Sequence, residues 1–143
     1  MNEREFYDKP KVGKAILCAL LCLVVFSLIQ ILSSLLILLI GAVISVIPLI
    51  GKIFNFLFEV LRNESPLAFA TITSVFISYY TTSFVQNKLM SDSSTKKVSR
   101  RILGIIILVL HILSLITNIM YDGNIFANIA CILAGLAFIF SNE

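Results

Sequence analysis

The residues in this sequence with most capacity for chemistry are one histidine, three cysteines and a set of polar side chains inside long apolar runs. His111 is the only histidine among 143 residues. A proton relay through it would need a carboxylate at similar depth, and the surrounding apolar runs contain no Asp or Glu. We therefore expect a neutral His111 that hydrogen-bonds to a hydroxyl or amide group on a neighbouring helix.

The three cysteines do not form a recognisable metal-binding pattern. Cys18 and Cys22 lie one helical turn apart, and Cys131 follows more than a hundred residues later. A tetrahedral zinc site needs four converging ligands, and three thiols with one distant imidazole do not supply them. We expect reduced, space-filling cysteines, and neither a metal nor a cofactor.

Catalytic motifs are missing from the sequence as well. It has no Gly-x-Ser-x-Gly, no His-Glu-x-x-His and no glycine-rich phosphate loop. We therefore predict that the protein is not an enzyme.

Polar residues recur at helical spacing in each apolar run. In lipid, such side chains turn toward neighbouring helices and form interhelical hydrogen bonds. The alternative is a hydrated path for a small solute or ion around the histidine. The residues predicted to serve either purpose are Gln30, Ser74, Ser78, His111, Ser114, Asn118 and Asn128.

One long polar stretch, residues 86–101, interrupts the apolar sequence. It has five basic residues and a single acid, Asp92, and it predicts a flexible cytoplasmic loop. The loop would dock an acidic cytosolic protein or touch anionic headgroups. No aromatic residue lies among its bases, so we do not expect direct nucleic-acid binding. The predicted partner-binding residues are Lys88, Lys96, Lys97, Arg100 and Arg101.

Composition places these residues in a membrane protein. The chain is 59% hydrophobic and 13% charged, and its mean hydropathy is +1.02. A soluble chain of this length has too little interior to cover so much apolar surface. Most of the basic residues lie near the N-terminus or in residues 86–101, which predicts that both segments face the cytoplasm.

The apolar runs predict one all-α membrane domain, residues 1–143, in which four transmembrane helices leave both termini in the cytoplasm. The first helix is long, because no charge occurs from Ala15 to Ile50. In residues 51–62 the polar residues recur every three or four positions, which predicts an amphipathic helix at the outer interface. Residues 37–61 would lie on the membrane, project from it or re-enter it. The predicted spans are about 14–40, 66–87, 101–120 and 124–140.

These features predict a non-enzymatic, homo-oligomeric scaffold, anchor or sensor in the inner (plasma) membrane that engages an acidic cytosolic partner. The membrane subunit of a bacterial two-component defence or immunity system would have this form. The alternative is a small homo-oligomeric channel lined by the polar residues around His111.

Overall fold

The computed structural model describes residues 10–45, 52–53, 66–121 and 125–141. Within those ranges the chain forms four long helices and no strand, so the prediction of an all-helical protein is confirmed. The helices are α1 (Val12–Ser45), α2 (Pro66–Leu89), α3 (Ser93–Met120) and α4 (Phe126–Phe140).

Two of the described helices are long and apolar enough to cross a membrane, namely Val12–Val43 within α1 and Ser93–Met120. The 34 residues of α1 reach about 51 Å at 1.5 Å per residue, well beyond a hydrocarbon core of about 30 Å. Helix α4 is apolar but has only 15 residues. Of the predicted interfacial helix 51–62, Lys52 and Ile53 are helical and exposed, and the rest lies outside the described residues.

The four helices form an up-and-down bundle. Helix α1 packs against α2 and α3, and α4 packs against α3 and α2. The backbone N–H of Lys11 donates to the Thr95 hydroxyl at 3.1 Å, so α1 and α3 begin at the same end. We call this end, which holds Lys11, residues 86–101 and Ser141, the basic end, and the opposite one the far end.

The apolar core lies in the half of the bundle next to the basic end. It contains the buried side chains of Phe26, Leu103, Ile107 and Phe138, and the rings of Phe26 and Phe138 meet edge to face at 6.3 Å. Ile107 is the last buried residue of α3. In the far half of α3 the large apolar side chains are therefore exposed on the outside of the bundle, where lipid or another chain could cover them.

Helices α3 and α4 approach most closely where two glycines face each other. A Cβ atom on Gly104 would lie 2.5 Å from the Gly135 carbonyl oxygen, and one on Gly135 would lie 3.0 Å from that of Gly104. Such contacts hold helices together in lipid, where hydrophobic driving force between helices is absent. Small residues allow close helix contact in the last apolar run, but nothing in the sequence marks Gly104 as their counterpart. Those small residues are Ala127, Ala130, Ala134 and Gly135.

We predict that Gly104→Ala destabilises the bundle by about 1–3 kcal/mol, because the added methyl group must push α3 and α4 apart. Unfolding in mild detergent, followed by circular dichroism during an SDS titration, measures this loss. Gly41→Ala is the matched control, since a Cβ at Gly41 meets no atom within 4 Å. Equal stability of the two variants would show that the α3–α4 contact does not depend on Gly104.

Candidate functional site

The start of α3 is fixed by Asp92, which caps the helix. Its carboxylate accepts from the Ser94 backbone N–H at 3.2 Å and from the Ser94 hydroxyl at 3.0 Å, and also from the Thr95 hydroxyl. A cap of this kind satisfies N–H groups that the first turn of a helix leaves unpaired. The prediction of a flexible loop over residues 86–101 is therefore wrong, because only residues 90–92 lie between α2 and α3.

These hydrogen bonds also act on the acidity of Asp92. The hydroxyl of Thr95, followed by that of Ser94, stabilises the carboxylate and holds the pKa of Asp92 below its ordinary value of 3.8. The cap is thus at full strength at neutral pH.

Arg100 lies inside the bundle, with only 3% of its surface exposed. Its guanidinium donates to the Ser141 hydroxyl at 2.6 Å and to the Asn87 side-chain oxygen at 3.0 Å. It therefore joins α2, α3 and the residue that follows α4. The prediction that Arg100 contacts a partner is corrected, since the helical phase of α3 points this side chain inward.

The other four predicted partner-binding bases remain accessible at the basic end. Lys88, Lys97 and Arg101 are exposed, and Lys96 is half-buried. We call these four residues the basic surface. Arg101 is one position beyond Arg100, about 100° further around the helix, which explains its opposite environment.

A polar ladder runs along α2 toward the basic end. It consists of Ser74, Ser78, Thr82 and Gln86, all with 0% exposure and spaced by four residues. Its first member accepts a hydrogen bond from the Ser34 hydroxyl at 2.8 Å, and its last member donates its amide N–H to the Ser99 hydroxyl at 2.9 Å. The ladder therefore ties α2 to α1 at one point and to α3 at another.

Thr82 and Gln86 are buried members of this ladder that sequence reasoning missed. Spacings of three and four both fit a helix, so a polar stripe through Ser74 and Ser78 can equally be continued to Thr81. A constant spacing of four from Ser74 would have found both residues. The Thr82 hydroxyl and the Gln86 side-chain oxygen have no hydrogen-bond partner among the described residues.

The remaining predicted polar residues do not converge on His111. Gln30 donates its amide N–H to the Cys131 sulfur at 3.5 Å, joining α1 to α4, and Asn128 is buried. His111 is half-buried, and its Nδ1 pairs with the Ile107 carbonyl of its own helix at 2.8 Å. The expected bond from His111 to a neighbouring helix is thus replaced by one within α3. Ser114 and Asn118 are half-buried.

The three cysteines are buried and free, and the sulfurs of Cys18 and Cys22 lie 3.9 Å apart. Within the described ranges no three His, Cys, Asp or Glu side chains are placed to hold a metal ion. What the basic end offers chemically is charge held in a fixed arrangement.

Comparison with known proteins adds no relative from which a role could be transferred. No family model matches the chain, and no curated protein or solved structure matches it at a significant level.

We predict that Arg100→Ala lowers the free energy of unfolding by about 1.5–3 kcal/mol, the range for hydrogen bonds made by a charged group. Its exposed neighbour provides the control, and Arg101→Ala should change stability by less than about 0.5 kcal/mol. Thermal unfolding of both variants in the same detergent measures the difference. Equal effects would mean that the contacts of Arg100 do not hold the helix ends together.

We predict that stability falls in acid partly through Asp92. Because its folded pKa is lowered, its contribution is complete above the unfolded value of 3.8 and is lost as the pH falls through the folded value. The variant Asp92→Asn retains an acceptor for the cap but has no carboxylate to titrate.

Thermal midpoints of the wild type and of Asp92→Asn should therefore converge as the pH is lowered below 3.8. Asp92→Ala, which also loses the cap, should be the least stable of the three at pH 7. A constant difference between the wild type and Asp92→Asn across this range would contradict the assignment.

Proposed function

We propose that the protein is a non-enzymatic membrane anchor or scaffold that presents its basic surface to an acidic cytosolic protein. The observation that carries this proposal is the rigid attachment of the basic surface to the bundle. Lys97 and Arg101 project from a capped helix whose neighbouring residues, Ser99 and Arg100, bond to α2.

The proposed topology has four spans with both termini in the cytoplasm, in the plasma membrane of the cell. Two apolar helices of sufficient length support it, as do the outward-facing apolar side chains of the far half. The concentration of Lys and Arg near the N-terminus and in residues 86–101 favours a cytoplasmic basic end. Helix α2, at 24 residues, is about 36 Å long, which is sufficient length to cross a hydrocarbon core of about 30 Å.

The rigid attachment of the basic surface would lower the entropy cost of binding a partner. Bases on a disordered loop lose conformational entropy when they engage a partner, whereas bases on a fixed helix have lost most of it already. Electrostatic complementarity then sets the association rate and makes binding weaken with added salt. The membrane subunit of a two-component defence or immunity system would use such a surface to hold its soluble component.

Assembly as a homo-oligomer is part of the proposal, and the exposed apolar side chains in the far half of α3 offer a surface that a second copy could share with lipid. A channel is the second candidate. A groove of about 390 Å³ on α1 and α2 would support it, since Ser27, Gln30, Ser34 and Thr71 contribute to its lining. The first three already donate hydrogen bonds within the chain, so we rank the anchor first.

We predict that Lys97→Gln/Arg101→Gln reduces capture of the soluble partner roughly tenfold, since two exposed charge contacts contribute up to about 1 kcal/mol each. The measurement is gentle detergent extraction from the native host with a C-terminal tag, followed by mass and composition of the complex. Lys52→Gln/Arg62→Gln is the control, because it removes the same charge from the predicted outer side.

We expect a soluble acidic protein that binds in fixed ratio and is released by salt. It should be lost only in Lys97→Gln/Arg101→Gln. A homo-oligomer without any soluble protein would contradict the anchor proposal. Ion flux through the oligomer in liposomes, compared between the wild type and His111→Leu, would then test the channel.

A further inference from the structure

An apolar groove of about 410 Å³ runs between α2 and α4. Its volume is within the range of about 300–1,000 Å³ usual for ligand pockets. Its lining is almost wholly apolar and combines aromatic residues of α2 with three alanines and larger apolar residues of α4. The lining residues are Ile72, Val75, Phe76, Tyr79 and Tyr80 of α2 and Phe126, Ile129, Ala130, Leu133, Ala134 and Ala137 of α4.

An aromatic ridge beside this groove leads from it to a positive charge. Phe76, Tyr80 and Phe84 are spaced by four residues along α2 and are all more than 60% exposed. Lys88 is the next residue in this register, and its ammonium lies 5.7 Å from the centre of the Phe84 ring. Helical side chains lean toward the N-terminus of their helix, so the ammonium is directed along the ridge toward the groove.

The length of this feature fits one leaflet of a bilayer. From Ile72, at one end of the groove, to Lys88 is 16 residues, or about 24 Å at 1.5 Å per residue. One leaflet with its headgroup layer is about 20–22 Å thick. With the basic end in the cytoplasm, the charge lies at headgroup depth and the groove beside the acyl chains.

We propose that this groove and ridge bind one anionic phospholipid of the inner leaflet. One acyl chain occupies the groove between α2 and α4, and the phosphate pairs with Lys88. The inference rests on the membrane placement within the proposed function. It moves Lys88 from the basic surface to the lipid site and leaves Lys96, Lys97 and Arg101 to the protein partner.

The test uses the full chain, delipidated in mild detergent and supplied with equal amounts of phosphatidylglycerol and phosphatidylcholine. Native mass spectrometry then counts each lipid bound. We expect about one lipid per chain and a preference of about fivefold for phosphatidylglycerol, the factor expected for one basic side chain at an anionic surface. Ala137→Phe, which fills the groove, should reduce binding of both lipids at least tenfold.

Lys88→Gln should abolish the preference for phosphatidylglycerol. Binding of phosphatidylcholine should fall less, because the choline ammonium already neutralises its phosphate and leaves the headgroup without net charge. Lys97→Gln is its control, and Ala42→Phe, an equal enlargement at an exposed position of α1, is the control for the groove. Both controls should bind like the wild type. Should the larger substitution lower the thermal midpoint, Ala137→Leu serves as a milder filler of the same space.

Three results would overturn the proposal. One is unchanged lipid binding in Ala137→Phe and Ala137→Leu. The others are an unchanged preference for phosphatidylglycerol in Lys88→Gln and a loss of that preference in Lys97→Gln. Failure of the anchor proposal is distinguishable. It would appear as missing partner capture in the Lys97 and Arg101 experiment, which leaves Lys88 and the groove unaltered.

Discussion

The buried guanidinium of Arg100 is the constraint on which the packing of the basic end depends. A charge withdrawn from water costs several kcal/mol unless hydrogen bonds replace its hydration. Asn87, near the end of α2, and Ser141, directly after α4, supply two of those bonds. Because acceptors from separate helices must stay within reach of one group, the end of α2, the start of α3 and the end of α4 are held in register.

The specific contacts of the protein are therefore concentrated toward one end. The basic end combines a three-residue turn at 90–92, the Asp92 cap and the bond between Gln86 and Ser99, and the contact of Gly104 with Gly135 follows one turn further along α3. Beyond Ile107 the described part of α3 buries no residue. In lipid, exposed apolar side chains carry no penalty, so the far half can remain open to acyl chains or to another copy. A rigid basic end and a far half of α3 without buried residues suit the proposed anchor, in which the basic end would hold a soluble partner.

Much of the fold could be predicted because apolar runs and Pro66 mark helices directly. The phase of those helices was harder to predict. Arg100 and Arg101 are equivalent as members of a charge cluster, and only the rotation of α3 decides which is buried. The dense charge of residues 86–101 predicts a loop, although Asp92 followed by Ser, Ser and Thr is a sequence typical of a helix N-cap. Gly104 could not be assigned a role from sequence, since a glycine in an apolar run does not reveal which helix it meets.

Helix α2 shows how a comparatively polar segment could cross the bilayer in the proposed topology. Its polar ladder begins at Ser74 and its aromatic ridge at Phe76, and both continue in steps of four. Ser74 and Phe76 are two positions apart, which corresponds to about 200° of rotation around the helix. The polar ladder and the aromatic ridge therefore lie on nearly opposite faces of α2. The hydroxyl and amide groups face the bundle, where Ser34 and Ser99 bond to them, and the aromatic rings face outward. The mean hydropathy of α2 averages over both faces and is therefore lower than that of its outward face. Lipid would contact only the outward, aromatic face, as the proposed four-span topology requires.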